Sequence, residues 1–508
     1  MPSSTPSSPT AWRWVAAAAV LIGLTAAVVS TLTAPETYPV ADTATTSIYT
    51  LRAARGELAV GSYGRFGWNH PGPLLYQALA VPYTLAGHRE IALKWAALAL
   101  NLAWIGGTLA IAGRRSPRIA VALAIALAPL LWREQRLLFS AWNAFVPVLA
   151  LPCAMALAAD LDARRSWTLA GLAAALSFCV QAHAGLAVVG LAVAVVGIGL
   201  AWPLPPAAWT RAALVTAALW AIPLAHEIRV RPGNLEAMFR FFLDRGQLHA
   251  SWAHALDGAG YMLAGPMLPA WQVLEGEVPA AASLVVPAIF WLAMIAVTAI
   301  AIVHARRGDR RNATIAAVAA AATSAVPIAA HGIVGPMSDY LLAWAPAVGA
   351  FDLAVLLAAV APLVAPAPDW TRWRASLLTT MLVAWAVIGG QRLIGKHADQ
   401  ARDITMRALA ADLQQYCRDH HVTRPVLGFD PAAWQELAGL VLQFDKAGVP
   451  IAVSDAGLYL VGPPYARTGH DDAELYLMPT GATLPGALEG RTEWVATRGA
   501  FRVVHVRP

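Results

Sequence analysis

The stretch Gly64-Arg65-Phe66-Gly67-Trp68-Asn69-His70-Pro71-Gly72-Pro73-Leu74-Leu75-Tyr76 decides how this chain is read. It follows the first long apolar segment, and an acid, Asp42, precedes it in the same polar loop. Loops are usually variable connectors on the surface. A loop that combines rigid, aromatic and charged groups is more often a working one. The stretch therefore reads as half of an active site at a membrane surface.

Composition sets the frame. The chain has 508 residues, of which only 13% are charged and 58% are hydrophobic. Soluble domains carry about 25% charged residues. The deficit, with repeated long apolar runs, indicates a polytopic membrane protein. The net charge of +6 does not point to nucleic acid, because the basic residues fall in short loops between apolar segments. Cys153, Cys179 and Cys417 are scattered, with neither a disulfide framework nor metal-ligand spacing. No internal repeat, Walker loop or GxGxxG motif is present, so ATP and dinucleotide use have no support.

A helix needs about 20 apolar residues to cross a bilayer. The expected spans are 12–33, 91–112, 119–132, 145–160, 167–181, 184–202, 212–226, 282–304, 313–331, 341–364 and 375–390. The first carries Arg13 and resembles a signal sequence, but its length favours an uncleaved helix. Arg114, Arg115 and Arg118, then Arg164 and Arg165, Arg211, the Arg306–Arg311 cluster, and Arg372 with Arg374 all fall on one side if the N-terminus is inside. The positive-inside rule makes that side cytoplasmic. The expected localisation is a bacterial-type inner membrane, with the C-terminus outside.

This gives a mostly α, polytopic fold of about eleven transmembrane helices, with a small C-terminal extracytoplasmic α/β domain. The membrane domain is expected over 1–390, with outer loops 34–90 and 226–281, and the outer domain over 391–508. In the first loop, Thr46–Arg55 reads as a short amphipathic helix and 73–87 as an interfacial one. In the second, Phe239, Phe241, Phe242, Arg245, Trp252 and Trp271 suit a membrane surface. In the outer domain, 425–429, 450–454, 474–478 and 494–506 read as strands around a helix at 432–447.

That topology collects unusual polar residues on the outer face: Asp42, Arg65, Trp68, Asn69 and His70, then Arg133, Glu134, Arg136, Trp142 and Asn143, then Gln181 and His183, and finally His331, Asp339 and Tyr340. Convergent polar groups mark a site. The competing reading is of interfacial caps and snorkelling side chains. Asp160-Leu161-Asp162 reads as a solvated inner turn. Asp352 falls inside a span, where an acid is expensive and often functional.

The order of these features resembles the GT-C membrane glycosyltransferases, especially the protein mannosyltransferase and aminoarabinose transferase branch. One span leads to a long outer loop with an early acid, then a histidine-proline motif, an interfacial helix and a second span. The matching residues are Asp42 and His70-Pro71-Gly72-Pro73. The likeness covers the first 200 residues or so and the general architecture. Thr43 stands where the family often has a second acid, and Gly72 where it usually has a second proline.

The resemblance implies a sugar donor on polyprenyl phosphate and inversion at the anomeric carbon. The chemistry also fits the residues themselves. An acceptor hydroxyl needs a positioned base, and Asp42 is the candidate. His70 would position or stabilise that acid. The leaving phosphate needs arginine or a divalent metal; Arg65 with Arg133 or Arg136 would serve, and metal dependence is left open. The expected partners are the polyprenyl-phosphate donor, the bilayer and a cell-envelope glycan or glycolipid acceptor, with no nucleic acid. A proton-coupled transporter or flippase built on Asp352, and a non-catalytic scaffold, are the rivals.

The topology makes a direct prediction. A phosphatase fused after Val506 should be active, and a cytoplasmic reporter at the same place silent. The opposite pattern would invert the whole arrangement.

Overall fold

The computed structural model describes residues 9–64, 66–244, 246–267, 276–278, 285–364, 370–395 and 400–507. Arg65, Arg245 and Trp271 fall outside them. The helices are α1 (Pro9–Thr33), α2 (Ala41–Ala54), α3 (Leu74–Leu85), α4 (Glu90–Arg115), α5 (Pro117–Arg133), α6 (Arg136–Phe139), α7 (Val146–Ala159), α8 (Thr168–Ala182), α9 (Ala187–Ala201) and α10 (Pro206–Arg229). They continue with α11 (Asn234–Leu243), α12 (Trp252–Ala264), α13 (Val285–Arg306), α14 (Arg310–His331), α15 (Ala345–Val364), α16 (Trp370–Gly395), α17 (Gln400–Asp419), α18 (Trp434–Lys446) and α19 (Leu458–Val461).

Each expected span coincides with a helix. By length and composition, α4, α10, α13, α14 and the run 184–201 that contains α9 are long and apolar enough to cross a membrane. Parts of α1 and α15, and all of α7 and α8, are shorter apolar helices. Helix α7 is the hub: every one of its residues is buried, and it packs against α4, α8, α9, α14 and α15. A helix apolar on all sides has to be enclosed by others. At the periphery the pattern reverses. Leu191, Val195, Leu214, Ile222, Trp291, Leu292 and Ile295 are exposed, as lipid-facing side chains are.

The end of the bundle that carries the basic loops is tied by one acid. Asp160 is fully buried; Arg115 Nε lies 2.7 Å from Oδ1 and Arg165 Nη1 2.9 Å from Oδ2. The turn expected to be solvated is thus an ion-paired staple between α4, α7 and the α7–α8 loop. Three arginines within reach, counting Arg114 at 3.8 Å, compensate the cost of burying the charge.

Beyond the bundle lies a five-stranded sheet: β1 (Pro425–Phe429), β2 (Ala452–Val453), β3 (Ala473–Pro479), β4 (Thr492–Arg498) and β5 (Phe501–Val506), in the order β2-β1-β3-β5-β4. Strand β1 is parallel to β2 and β3, while β5 is antiparallel to both β3 and β4. The run expected at 494–506 is a hairpin of two strands. Helix α18 connects β1 to β2 and packs on α2.

That packing corrects the reading of α2. It begins earlier than expected, and Ala44 to Arg52 are all buried. Its polar side is covered by the sheet unit rather than by water. Glu90, in the first turn of α4, holds the contact: Lys446 Nζ and Tyr83 Oη each lie 2.7 Å from Oε1, and Ser47 Oγ donates to Oε2 at 2.6 Å. Breaking a buried pair by removing one partner costs about 3–5 kcal/mol. Lys446→Met should therefore lower the thermal unfolding temperature sharply, and adding Glu90→Gln should recover part of the loss. Strict additivity of the two changes in a thermal-unfolding cycle would refute this linkage.

Candidate active site

Asp42 sits in the first turn of α2, where unpaired backbone N–H groups and the helix dipole favour negative charge. The chain enters the helix through extended Val40 and through Ala41 at φ 52°. The half-buried Asp42 carboxylate accepts a hydrogen bond from Tyr63 Oη, 2.7 Å from Oδ1. Burial first, then the charge of Asp42, raises the Tyr63 hydroxyl far above the usual tyrosine range; Tyr459 and Tyr340 add to the effect. Tyr63 therefore stays protonated and donates.

Tyr63 is held by a short hairpin. It pairs with Asn69, His70 N donates to Ser62 O at 2.8 Å, and Gly64 N donates to Trp68 O at 2.9 Å. Three contacts hold the hairpin in place. Asn69 exchanges hydrogen bonds with Asn234 at the start of α11: its N–H reaches Oδ1 at 2.7 Å, and Asn234 Nδ2 reaches its carbonyl at 2.9 Å. Trp68 packs against Phe241 and Phe242, with ring centroids at 5.7 and 5.5 Å. His70 Nδ1 accepts the backbone N–H of Ala184 at 3.0 Å.

The last contact defines what His70 does. An acceptor Nδ1 leaves the proton on Nε2 of a neutral ring. Burial, with a smaller effect from His183, keeps His70 well below its ordinary pKa. The two imidazoles stack at 5.0 Å. His70 thus joins the hairpin to the end of α8. Gly72 completes the joint. Its N–H points to Gln181 O at 3.4 Å, and any Cβ there would collide with the Gln181 side chain. A proline at this position would meet the same Gln181 side chain and lose the N–H.

The opposite wall comes from the segment between α5 and α7. Glu134 is buried and takes Arg136 in a two-point pair, Nε to Oε1 at 2.8 Å and Nη2 to Oε2 at 2.9 Å. The Arg136 guanidinium also lies over Phe145, 5.7 Å from its centroid. Trp142 packs on Phe145 at 5.0 Å and on Tyr340 at 5.4 Å. Asn143 Nδ2 donates to Ala182 O at 3.2 Å, which ties this wall to the His70–His183 pair. Arg133 is exposed at the end of α5.

The expected residues therefore divide. Asp42 is bound by Tyr63, whose hydroxyl also feels Tyr340; Trp142 packs on Tyr340 and on Phe145, and Arg136, paired with Glu134, covers the same Phe145. Trp68, Asn69, His70, Asn143, Gln181 and His183 build the support. Three buried atoms in that support, Trp68 Nε1, Gln181 Oε1 and His183 Nδ1, have no hydrogen-bond partner among the described residues. His331 belongs to another seam: its Nδ1 lies 2.6 Å from Ala250 O, and its ring stacks on Trp252 at 4.1 Å. Asp339 is buried in the turn Asp339–Leu342, where its N–H donates to Gly276 O. Arg65 lies outside the described residues. Among the described residues, no three His, Cys, Asp or Glu side chains gather as a metal set. Tyr63 and Tyr459 were missed. Tyr63 stands one residue before the quoted stretch, and no local signal marks Tyr459.

No family model matches the sequence. No curated protein matches it. Among solved structures, it is similar to two crystal structures of ArnT from Cupriavidus metallidurans. The form bound to undecaprenyl phosphate shares 16% identity and the apo form 14%. Each aligns with a TM-score of 0.54 over 98% of both chains. At that identity the likeness is one of fold, and it spans both the bundle and the sheet unit. The chain has the GT-C fold of ArnT.

Proposed function

We propose that this chain is a glycosyltransferase that moves a sugar from a polyprenyl-phosphate carrier to an extracytoplasmic acceptor, with inversion. The observation that carries the reading is Asp42, fixed by Tyr63 at the start of a buried helix, at the end of a GT-C bundle away from its basic loops. The undecaprenyl phosphate in the ArnT structure supports a carrier of that class.

In the proposed step the acceptor oxygen attacks the anomeric carbon from the face opposite the phosphate. The new C–O bond forms as the bond to the phosphate oxygen breaks, and the electron pair leaves with the phosphate. The acceptor proton passes to the Asp42 carboxylate. Tyr63 donates to Oδ1 of that carboxylate and so fixes its orientation. Charge grows on the phosphate, so fixed cations nearby stabilise the transition state over the ground state. Arg65 and the exposed Arg133 are the first candidates. Arg136 would have to share its guanidinium with Glu134, which lowers its value as a phosphate clamp. His70, already committed to Ala184, supports the loop rather than moving protons.

A transporter reading rests on Asp352. Its Oδ2 accepts a hydrogen bond from Thr323 at 2.7 Å, deep between α14 and α15. That bond supports a structural role for the acid in the bundle.

Asp42→Asn should reduce transfer from undecaprenyl-phosphate sugars by about 10²–10⁴-fold, the usual worth of a general base. The protein should remain folded and inserted. Tyr63→Phe should cost less, because it removes a positioning hydrogen bond and leaves the base. Wild-type turnover by the purified Asn variant in nanodiscs would remove Asp42 from the mechanism.

A further inference from the structure

We infer that Tyr459, carried by the C-terminal sheet unit, contacts the sugar ring of the donor beside Asp42. The inference rests on the glycosyltransfer reading and deepens it.

The argument begins at the far end of α2. Arg52 lies in its last turn and is buried, with its guanidinium 5.3 Å from the Tyr49 ring centroid. Its Nη1 donates to Val461 O at 2.9 Å, which satisfies a carbonyl at the end of α19. The chain then turns through Gly462 at φ 94°. A Cβ at Gly462 would collide with Arg52 Nη1, so the glycine lets the guanidinium reach the helix end. Around this point Arg55 pairs with Asp445 at 2.7 Å, and Tyr465 Oη donates to the same carboxylate at 2.8 Å. Helix α19 is therefore fixed relative to α2, and Tyr459 is fixed with it.

Tyr459 points to the other end of α2. Its ring is edge-on to Tyr63, at 5.6 Å between centroids and 71° between planes. Tyr63 holds Asp42. Burial and then the charge of Asp42 raise the Tyr459 hydroxyl above its usual pKa, which places the two groups within electrostatic reach. Yet Tyr459 remains 45% exposed. A lone exposed aromatic needs no explanation on a surface. This one is held by a buried arginine and faces the acid of the site.

An exposed tyrosine offers an apolar face with a polar tip. A sugar ring is its complement, with a C–H face and hydroxyl edges. The proposed base works on the face of the anomeric carbon opposite the phosphate, so the donor ring lies next to Asp42. Tyr459 then packs against that ring, and the polyprenyl phosphate lies beyond it. The C-terminal unit would thereby supply a specificity-determining residue to a site otherwise built by the membrane bundle.

The test uses the full chain in nanodiscs and four probes: undecaprenyl phosphate, and the same lipid bearing glucose, mannose or arabinose. Tyr459→Ala should weaken the best-bound sugar lipid about tenfold, the effect of losing one aromatic stacking contact. It should leave affinity for bare undecaprenyl phosphate unchanged, which also reports an intact fold. Tyr459→Phe should retain sugar-lipid affinity. Equal weakening of all probes by Tyr459→Ala would make the residue structural and overturn the inference, as would no change for any probe. A wild-type chain that binds bare undecaprenyl phosphate and no sugar lipid more tightly would overturn the sugar contact alone. One that binds none of the four would overturn the glycosyltransfer reading and the contact with it.

Discussion

The carboxylate of Glu90 joins four elements at one buried point. It lies at the start of α4, accepts from Ser47 on α2 and Tyr83 on α3, and pairs with Lys446 on α18. A buried charge survives only when its partners compensate the lost hydration, and here a bundle carboxylate takes its partners from the first long loop and the sheet unit. Helix α2 is clamped as a result. Because α2 carries Asp42 at one end and Arg52 at the other, the same clamp fixes the acid and the sheet-unit residues that face it.

From that constraint the rest of the site follows in two layers. The inner layer is Asp42, Tyr63, Tyr340 and Tyr459, one carboxylate with three tyrosines, and Trp142 packs on Tyr340. The outer layer holds the first in place: Asn69 on Asn234, His70 on Ala184, Gly72 on Gln181 and Asn143 on Ala182. Each joins segments far apart in sequence through a backbone group. In the proposed transfer, such support would keep the reacting groups within the narrow tolerance that catalysis needs. It also explains why the His70 region is so distinctive in sequence while its histidine makes a supporting contact.

The spans were legible because a bilayer demands long apolar runs. Strand β1 and helix α18 were legible from short-range pattern. Helix α2 was legible over Thr46–Arg55, but its earlier start and the burial of its polar face under α18 were not. Asp160 was misjudged for a similar reason: its compensating Arg115 comes from a distant turn. Asp42 stood out as an early acid in the first outer loop, ahead of the His70-Pro71 motif. Tyr63 and Tyr459 did not, because their meaning comes from a ring contact across almost the whole chain. Burial and long-range pairing assign these roles, and one-dimensional spacing carries neither.

The central claim is that a polyprenyl phosphate is handled at the Asp42 end of the bundle. The most direct measurement is a structure of the full chain in lipid nanodiscs with undecaprenyl phosphate. The account predicts phosphate density at the Asp42 end of the bundle, within reach of Arg65 or Arg133. Density instead among Arg114, Arg115 and Arg165, at the opposite end, would contradict it.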